Sequence, residues 1–359
     1  MEERKNPLTR LTAPLLEWYE ENRRSLPWRE VVSPYRTWVS EIMLQQTRVT
    51  AVLPYFQRFM QALPDIAALA AVPDAQLMKL WEGLGYYSRA RNLKKAAQQV
   101  MERWGGNLPG DQAALCSLPG IGVYTAGAIL SIAFGQAVPA VDGNVMRVYA
   151  RLLGDSRDIT QEGLRQEYRQ LAAEAISREH PGAYNQALMD LGATVCLPHG
   201  TPDCDACPAR QFCQAHQNGQ ETVLPVRREK KQRRQEARTV FVLWQEGRVA
   251  LHRRSDKGLL AGLWEFPQTE GALEEKQAIE WLEKQNLLPL IWQKKLSARH
   301  QFTHVEWEMT AYVLTVRGGG DPDWLWAEQQ QYRTLAIPSA FARFDKEVQT
   351  VFEERREQE

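Results

Sequence analysis

The chain has 359 residues, with 44 Lys and Arg against 44 Asp and Glu, 44% apolar residues and 25% charged ones. This is a globular composition of a size that suggests two or three domains. No apolar run is long enough to span a bilayer, and a net charge of zero announces no nucleic-acid partner by itself. The opening MEERKNPLTR is charged and has no apolar core, so no secretory signal is read there, and the reducing cytosol is the expected compartment.

Residues 8–225 read as almost wholly helical. Stretches such as 88–104 and 162–178 mix apolar and polar residues at helical spacing. Turn signals separate them at Leu63-Pro64, Val72-Pro73-Asp74, Gly105-Gly106, Leu118-Pro119-Gly120 and His180-Pro181-Gly182. Within LPGIGVYTAG (118–127), two glycines stand before a helix. That pattern fits a tight helix–turn–helix joint or a cradle in which helix-start N–H groups meet phosphate. About 20 residues on comes Val141-Asp142-Gly143-Asn144-Val145, at the start of another helix.

Five cysteines are present, and four of them fall in 196–213 with the spacing Cys196-x7-Cys204-x2-Cys207-x5-Cys213. In a reducing compartment such a group suggests a metal or cofactor before disulfides. Four thiolates so placed suit tetrahedral Zn²⁺ or a [4Fe–4S] cluster, and the spacing does not choose between them. Cys116 lies outside the group and reads as a small core residue. Residues 227–238 (RREKKQRRQEAR) hold seven basic and two acidic side chains and read as a solvated linker that can also lie along phosphates. Beyond it the pattern changes. Residues 239–244 and 248–253 are strand-like about a Glu246-Gly247 turn, 305–316 reads as strand and 338–353 as helix. The expected division is a helical domain over 1–226 with a cysteine loop at 196–213, a linker over 227–238, and an α+β domain over 239–359.

Five blocks, WVSEIMLQQT (38–47), WEGLGYYSR (81–89), LPGIGVYTAG, VDGNVMRV (141–148) and NQALMDLGATVC (185–196), stand in one order. Through them the first 225 residues resemble the MutY-type adenine DNA glycosylases of the helix–hairpin–helix, endonuclease III superfamily. Those enzymes remove adenine mispaired with 8-oxoguanine or guanine. The resemblance implies a base-excision enzyme that binds double-stranded DNA carrying an A:8-oxoguanine or A:G mispair, flips the adenine out and leaves an abasic site. A monomer with no membrane partner is expected, with the nucleoid its place when on DNA. The rival readings are a pyrimidine-damage glycosylase with lyase activity and a non-catalytic iron–sulfur DNA-binding protein.

Adenine is a poor leaving group, and breaking its N-glycosidic bond leaves a sugar with oxocarbenium character. The resemblance gives the proton for the departing base to Glu41. That glutamate sits in a helix among Trp38, Ile42, Met43 and Leu44, where burial should raise its pKa. It gives the negative charge beside the sugar to Asp142. One carboxylate about 4 Å from a cation is worth roughly 4 kcal/mol at an effective dielectric near 20, or about a thousandfold in rate. In the lyase branch a lysine follows the hairpin; here the position is Tyr124, and a phenol forms no Schiff base. Tyr124 is expected to hydrogen-bond near Asp142, and Asn144 to support it. By the same resemblance Gln46 and Tyr86 push into the duplex, Leu118, Gly120 and Gly122 meet DNA, and Arg24, Trp28 and Gln186 line the adenine pocket.

The family resemblance favours a [4Fe–4S] cluster on Cys196, Cys204, Cys207 and Cys213. The first spacing holds seven residues where the relatives have six. An extra residue should bulge out at Gly200. In the second domain, GLLAGLWEFPQ (258–268) resembles the opening of a Nudix domain. The segment 271–285 has glutamates, but not in the REUxEE arrangement (U aliphatic) that holds Mg²⁺, so the domain reads as a lesion reader rather than a pyrophosphatase. Gln301-Phe302-Thr303-His304 resembles the Phe-Ser-His loop of the family. This assigns 8-oxoguanine recognition to Phe302, Thr303 and His304, with the Thr303 hydroxyl accepting the N7 hydrogen that guanine lacks.

Overall fold

The computed structural model describes residues 6–228 and 232–356. The chain divides into two compact units, Met1–Ala71 with Arg91–Glu229, and Val72–Ala90 with Lys230–Glu359. Among the described residues no helix is long and apolar enough to cross a membrane.

The first unit is helical. One core of this unit links Leu8, Leu11 and Leu15 to Val145, Val148, Tyr149 and Leu152, and to Tyr168, Tyr184 and Leu188. Helix starts follow their caps. Ser33 Oγ accepts from Arg36 N before the helix Pro34–Leu44, with a proline in its first turn, where a missing N–H costs no hydrogen bond. Asp111 caps the short helix Gln112–Cys116. The chain then turns through 118–122 into the helix Val123–Phe134, whose N-cap, Gly122, offers no side chain to its N–H groups. The turn needs Gly120. Its φ of +81° lies in the left-handed region, and an added Cβ would stand 3.1 Å from Asn92 Cβ.

The second unit is built on one sheet. Its strands are β1 (Arg234–Gln245), β2 (Arg248–Arg253), β3 (Trp264–Glu265), β4 (Gln268–Glu270), β5 (Leu287–Gln301), β6 (Val305–Gly318) and β7 (Trp324–Ala327). The order is β3-β2-β1-β6-β5, with β4 pairing β1 and β7 pairing β2. β1 and β6 run parallel, while β5 and β6 form an antiparallel hairpin. Both faces of the sheet are covered, which explains why TVFVLW is a continuous apolar run rather than an alternating one. Val240, Val242 and Trp244 join the core beneath the helix Ala342–Arg356. Phe241 and Leu243 join the core on the other face, with Ala278 and Leu282 of the helix Glu275–Lys284.

Two differences from the sequence reading follow. β1 begins at Arg234, so the last five residues of the basic stretch pair with β6 instead of remaining linker; residues 229–231 of that stretch lie outside the described residues. Residues 72–90, read with the helical domain, group with the sheet. Lys79 Nζ donates to Leu335 O at 2.9 Å, and Glu82 Oε1 accepts from Ile337 N at 2.6 Å. No local pattern reports such partners, more than 250 positions away.

Candidate active site

A cleft of about 1230 Å³ opens in the first unit, lined by Glu41, Tyr124, Asp142 and Asn144, and also by Arg24, Trp28, Gln46, Gly122 and Gln186. Glu41 hangs from the third turn of Pro34–Leu44 and is 5% exposed. Burial pushes its carboxyl up from an ordinary 4.5 to about 7; the Tyr124 hydrogen bond pulls down, nearby Asp142 pushes up and Arg29 pulls down. Tyr124, in the first turn of Val123–Phe134, donates from Oη to Glu41 Oε2 at 2.8 Å. The phenol thus meets the acid Glu41, and the nearby charge of Asp142 also bears on it. The two helices place their side chains on one another, a pairing that positions 83 residues apart do not reveal. Burial, then the carboxylate of Glu41, raises the Tyr124 phenol far above its ordinary value, so it remains a donor.

Asp142 caps the helix Gly143–Leu153. Its Oδ1 accepts from Asn144 N at 2.8 Å and Val145 N at 2.9 Å, and its Oδ2 from Asn144 Nδ2 at 3.1 Å. The side chain keeps part of its surface open to the cleft but lies deep in the protein, and burial raises its pKa. The two backbone bonds, the charge of Arg147 and the Asn144 amide oppose that rise. Asn144 is held in turn. Arg147 Nη2 donates to Asn144 Oδ1 at 3.1 Å and to Gly192 O at 2.6 Å, while its Nε donates to Cys196 O at 2.9 Å. Gly192 belongs to a π-helical turn, Leu191–Val195, and a Cβ there would stand 2.9 Å from Asn144 Cβ. The glycine lets that turn close on the residue beneath Asp142.

Trp28 is buried against Phe56, edge to face at 5.2 Å, and forms a wall of the cleft. Arg24 is pinned: its Nε donates to Asp190 Oδ1 at 2.8 Å and its Nη2 reaches the same oxygen. Arg29, which the sequence reading missed, grips Asp190 with two bonds of 2.7 and 3.0 Å. Asp190 is fully buried. Desolvation pushes its carboxyl up, but Arg29 and Arg24 outweigh it and hold the group below the usual range. Charged residues inside otherwise apolar blocks (Arg147 in VDGNVMRV, Asp190 in NQALMDLGATVC) were the available signal. Gln186 lines the cleft and donates to Gly182 O at 3.3 Å.

Gln46 is exposed with φ 57°, and Tyr86, in the second unit, is 47% exposed with φ 48°. Both side chains therefore stand on backbone that non-glycine residues rarely adopt. Leu118 is buried, and neither it nor Gly120 lines the cleft. Phe302-Thr303-His304 is the tip of the β5–β6 hairpin, closed by Phe302 N donating to Val305 O at 2.8 Å. Phe302 packs edge-on against Trp307, whereas Thr303 and His304 are exposed. The Thr303 hydroxyl lies 3.4 Å from Tyr86 Oη.

None of these four cysteines is disulfide-bonded, and all four line one cavity with Arg151. Arg151, 3% exposed, donates from Nη1 to Cys196 Sγ at 3.1 Å and to Leu197 O at 2.8 Å, and Cys213 Sγ donates to Arg151 O at 3.5 Å. Sulfur donors converging beside a buried guanidinium fit an anionic metal–thiolate group. Asp203 N donates to Val195 O at 3.1 Å, closing the base of the seven-residue excursion, and Pro198 through Thr201 stand exposed about Gly200, whose φ is +74°.

Residues 39–174 match the family model of the HhH-GPD superfamily base excision DNA repair proteins, and residues 239–346 match that of the NUDIX domain. A solved thermostable thymine-DNA glycosylase superposes with a TM-score of 0.55 at 27% identity, over 60% of this chain and all of that one. Fold and site together define a helix–hairpin–helix DNA glycosylase, a hydrolase of N-glycosyl bonds, that carries a Nudix-like domain. Among curated proteins, the human adenine DNA glycosylase is 33% identical over 94% of this chain and 73% of its own length. The enzyme of Buchnera aphidicola subsp. Baizongia pistaciae is 34% identical over 83% of each. This chain belongs to the adenine DNA glycosylase family.

Proposed function

We propose that this chain excises adenine paired with 8-oxoguanine or guanine, acts on a base swung out of the duplex, and leaves an abasic site without cutting the strand. The observation that carries this reading is one cleft holding a buried carboxyl that keeps its proton near neutrality together with the capping carboxylate of Asp142. Tyr124 occupies Oε2 of Glu41, leaving Oε1 to carry the proton. Glu41 gives that proton to a ring nitrogen of the departing adenine, and Asp142 faces the positive charge that grows on the sugar. Water then adds to the sugar carbon, and the proton it releases goes to the Glu41 carboxylate, which restores the acid. Among the described residues no lysine lines the cleft, which supports hydrolysis over Schiff-base chemistry.

Extruding a base requires something to fill its place, and the strained, exposed Gln46 and Tyr86 suit that task. Gly122, which gives the helix start no side-chain cap, suits phosphate. Cys196, Cys204, Cys207 and Cys213 would hold a [4Fe–4S] cluster, which when bound supplies a covalent staple for the loop that Arg147 and Arg151 tie to the helix of Asp142. The exposed tip Thr303-His304 suits the reading of 8-oxoguanine, and the enzyme acts as a monomer. The test is a gel assay on A:8-oxoguanine duplexes with and without alkali. Cleaved product is expected only after alkali, and Glu41→Gln and Asp142→Asn should each abolish adenine release while duplex binding survives. Turnover near normal in either variant would refute the mechanism.

A further inference from the structure

His216 and Glu221 take no part in that reaction, yet they stand against a cysteine sulfur. Donor atoms of Cys204, His216 and Glu221 all lie within 4.8 Å of one another. His216 Nδ1 and Glu221 Oε1 are 2.7 Å apart, and all three residues line the cavity of the cysteines. The arrangement is built locally. His216 lies on the short helix Gln214–Gln217, Gly219 turns the chain at φ +64°, and Gln220 N donates back to Ala215 O at 2.7 Å, returning Glu221 to the imidazole. Cys196 and Cys213 are engaged otherwise, both with Arg151. A thiolate, an imidazole and a carboxylate form a borderline-soft donor set that suits four-coordinate Zn²⁺, with one position left for water, and suits Mg²⁺ or Ca²⁺ poorly. All three side chains are partly exposed, so a hydrated ion can reach them.

We propose that Cys204, His216 and Glu221 form a mononuclear site for a zinc-type divalent cation, filled when the cluster is absent. Binding replaces the Cys204 S–H bond with a sulfur–metal bond, the proton leaves to solvent, and no electron moves. Because Cys204 cannot serve two centres, the ion and the cluster exclude one another. That exclusion, unlike the site itself, rests on the cluster reading.

The test uses the full chain, stripped of iron by chelator and reductant and titrated anaerobically with Co²⁺. One Co²⁺ per chain is expected, with the visible bands of a four-coordinate ion and a charge-transfer band of one thiolate. His216→Ala and Glu221→Gln should each weaken binding by about tenfold or more. Cys204→Ser should abolish it, and Cys196→Ser and Cys207→Ser should retain it. Charge-transfer intensity from two or more thiolates in the unmodified chain would overturn the site whatever the variants do. So would binding that survives both His216→Ala and Glu221→Gln unchanged. Iron-loaded chain should take up no Co²⁺, and uptake there would overturn the exclusion. A chain purified without iron would instead tell against the cluster, leaving the cobalt result to stand or fall alone.

Discussion

Glu41 meets two opposed forces, and their balance sets a pH window. Burial favours the neutral carboxyl, whereas the Tyr124 hydroxyl favours the carboxylate. The proton needed by the leaving base is therefore present below about 7 and lost above it. Single-turnover adenine excision should fall as pH rises through that value. Tyr124→Phe removes the bond that lowers the pKa, so the falling limb should move to higher pH; a limb that stays or moves acid would refute the pairing. Stability follows the same group. The folded value exceeds the unfolded one, so the native state binds the extra proton between 4.5 and 7 and stability declines as pH rises through that window. A rise from 4.5 to about 7 corresponds to roughly 3 kcal/mol. Urea unfolding at pH 5 and pH 8 should show a smaller decline, by about that amount, in Glu41→Gln. The role of Glu41 came through the resemblance carried by WVSEIMLQQT, while its burial was legible in the sequence beside Trp38, Ile42 and Met43. Its partner was not. Nothing at position 124 says which of two carboxylates a phenol will meet across two helices.

At the scale of elements, glycines in the first unit do different work, and the contrast is measurable. Gly122 has open space where a Cβ would stand and an ordinary φ of −95°, whereas Gly192 has Asn144 Cβ at 2.9 Å. Gly192→Ala should push the π-helical turn off the helix that Asp142 caps. A cost of about 1–3 kcal/mol is expected from overpacking, with slowed excision as Asn144 shifts. Gly122→Ala should cost under about 1 kcal/mol of stability but weaken binding of duplex DNA if the added methyl stands in the proposed phosphate cradle. Equal loss of stability in both variants, or intact DNA binding in Gly122→Ala, would remove the phosphate cradle. The hairpin and the cap of Asp142 were readable because proline, glycine and aspartate act through local backbone. β5 was not read, since its first half (LLPLIWQ) does not alternate and beyond Leu287 is mostly exposed, and its pairing with β6 is interrupted near Pro289 and Trp292. The grip of Arg24 and Arg29 on Asp190 spans more than 160 residues and left only misplaced charge as a trace.

Over the whole molecule, the cleft of Glu41 and Asp142 and the β5–β6 tip fall to different units, but the chain does not divide cleanly between them. It crosses from one unit to the other near 71, 90 and 229, so residues 72–90, with Tyr86, belong with the sheet. The change from helical to strand patterning marked the last crossing. The first two were invisible, because 72–90 is helical like its surroundings and reveals its allegiance only through Leu335 and Ile337. Two kinds of loss should therefore separate. Thr303→Ala and His304→Ala touch only exposed groups and should leave stability and A:G excision near normal. Their preference for 8-oxoguanine over guanine should fall by the 1–3 kcal/mol typical of one base-edge contact, roughly 5- to 150-fold in competing single-turnover rates. Ending the chain after 228 should do more. It leaves Lys79 and Glu82 without their backbone partners and uncovers the face of 72–90 that the sheet unit buries, so both the preference and thermal stability should drop, and A:G excision should weaken with Tyr86 no longer held. A truncated chain that lost only the preference would show that 72–90 stands without the sheet. An undiminished preference in both point variants would take lesion reading away from the β5–β6 tip.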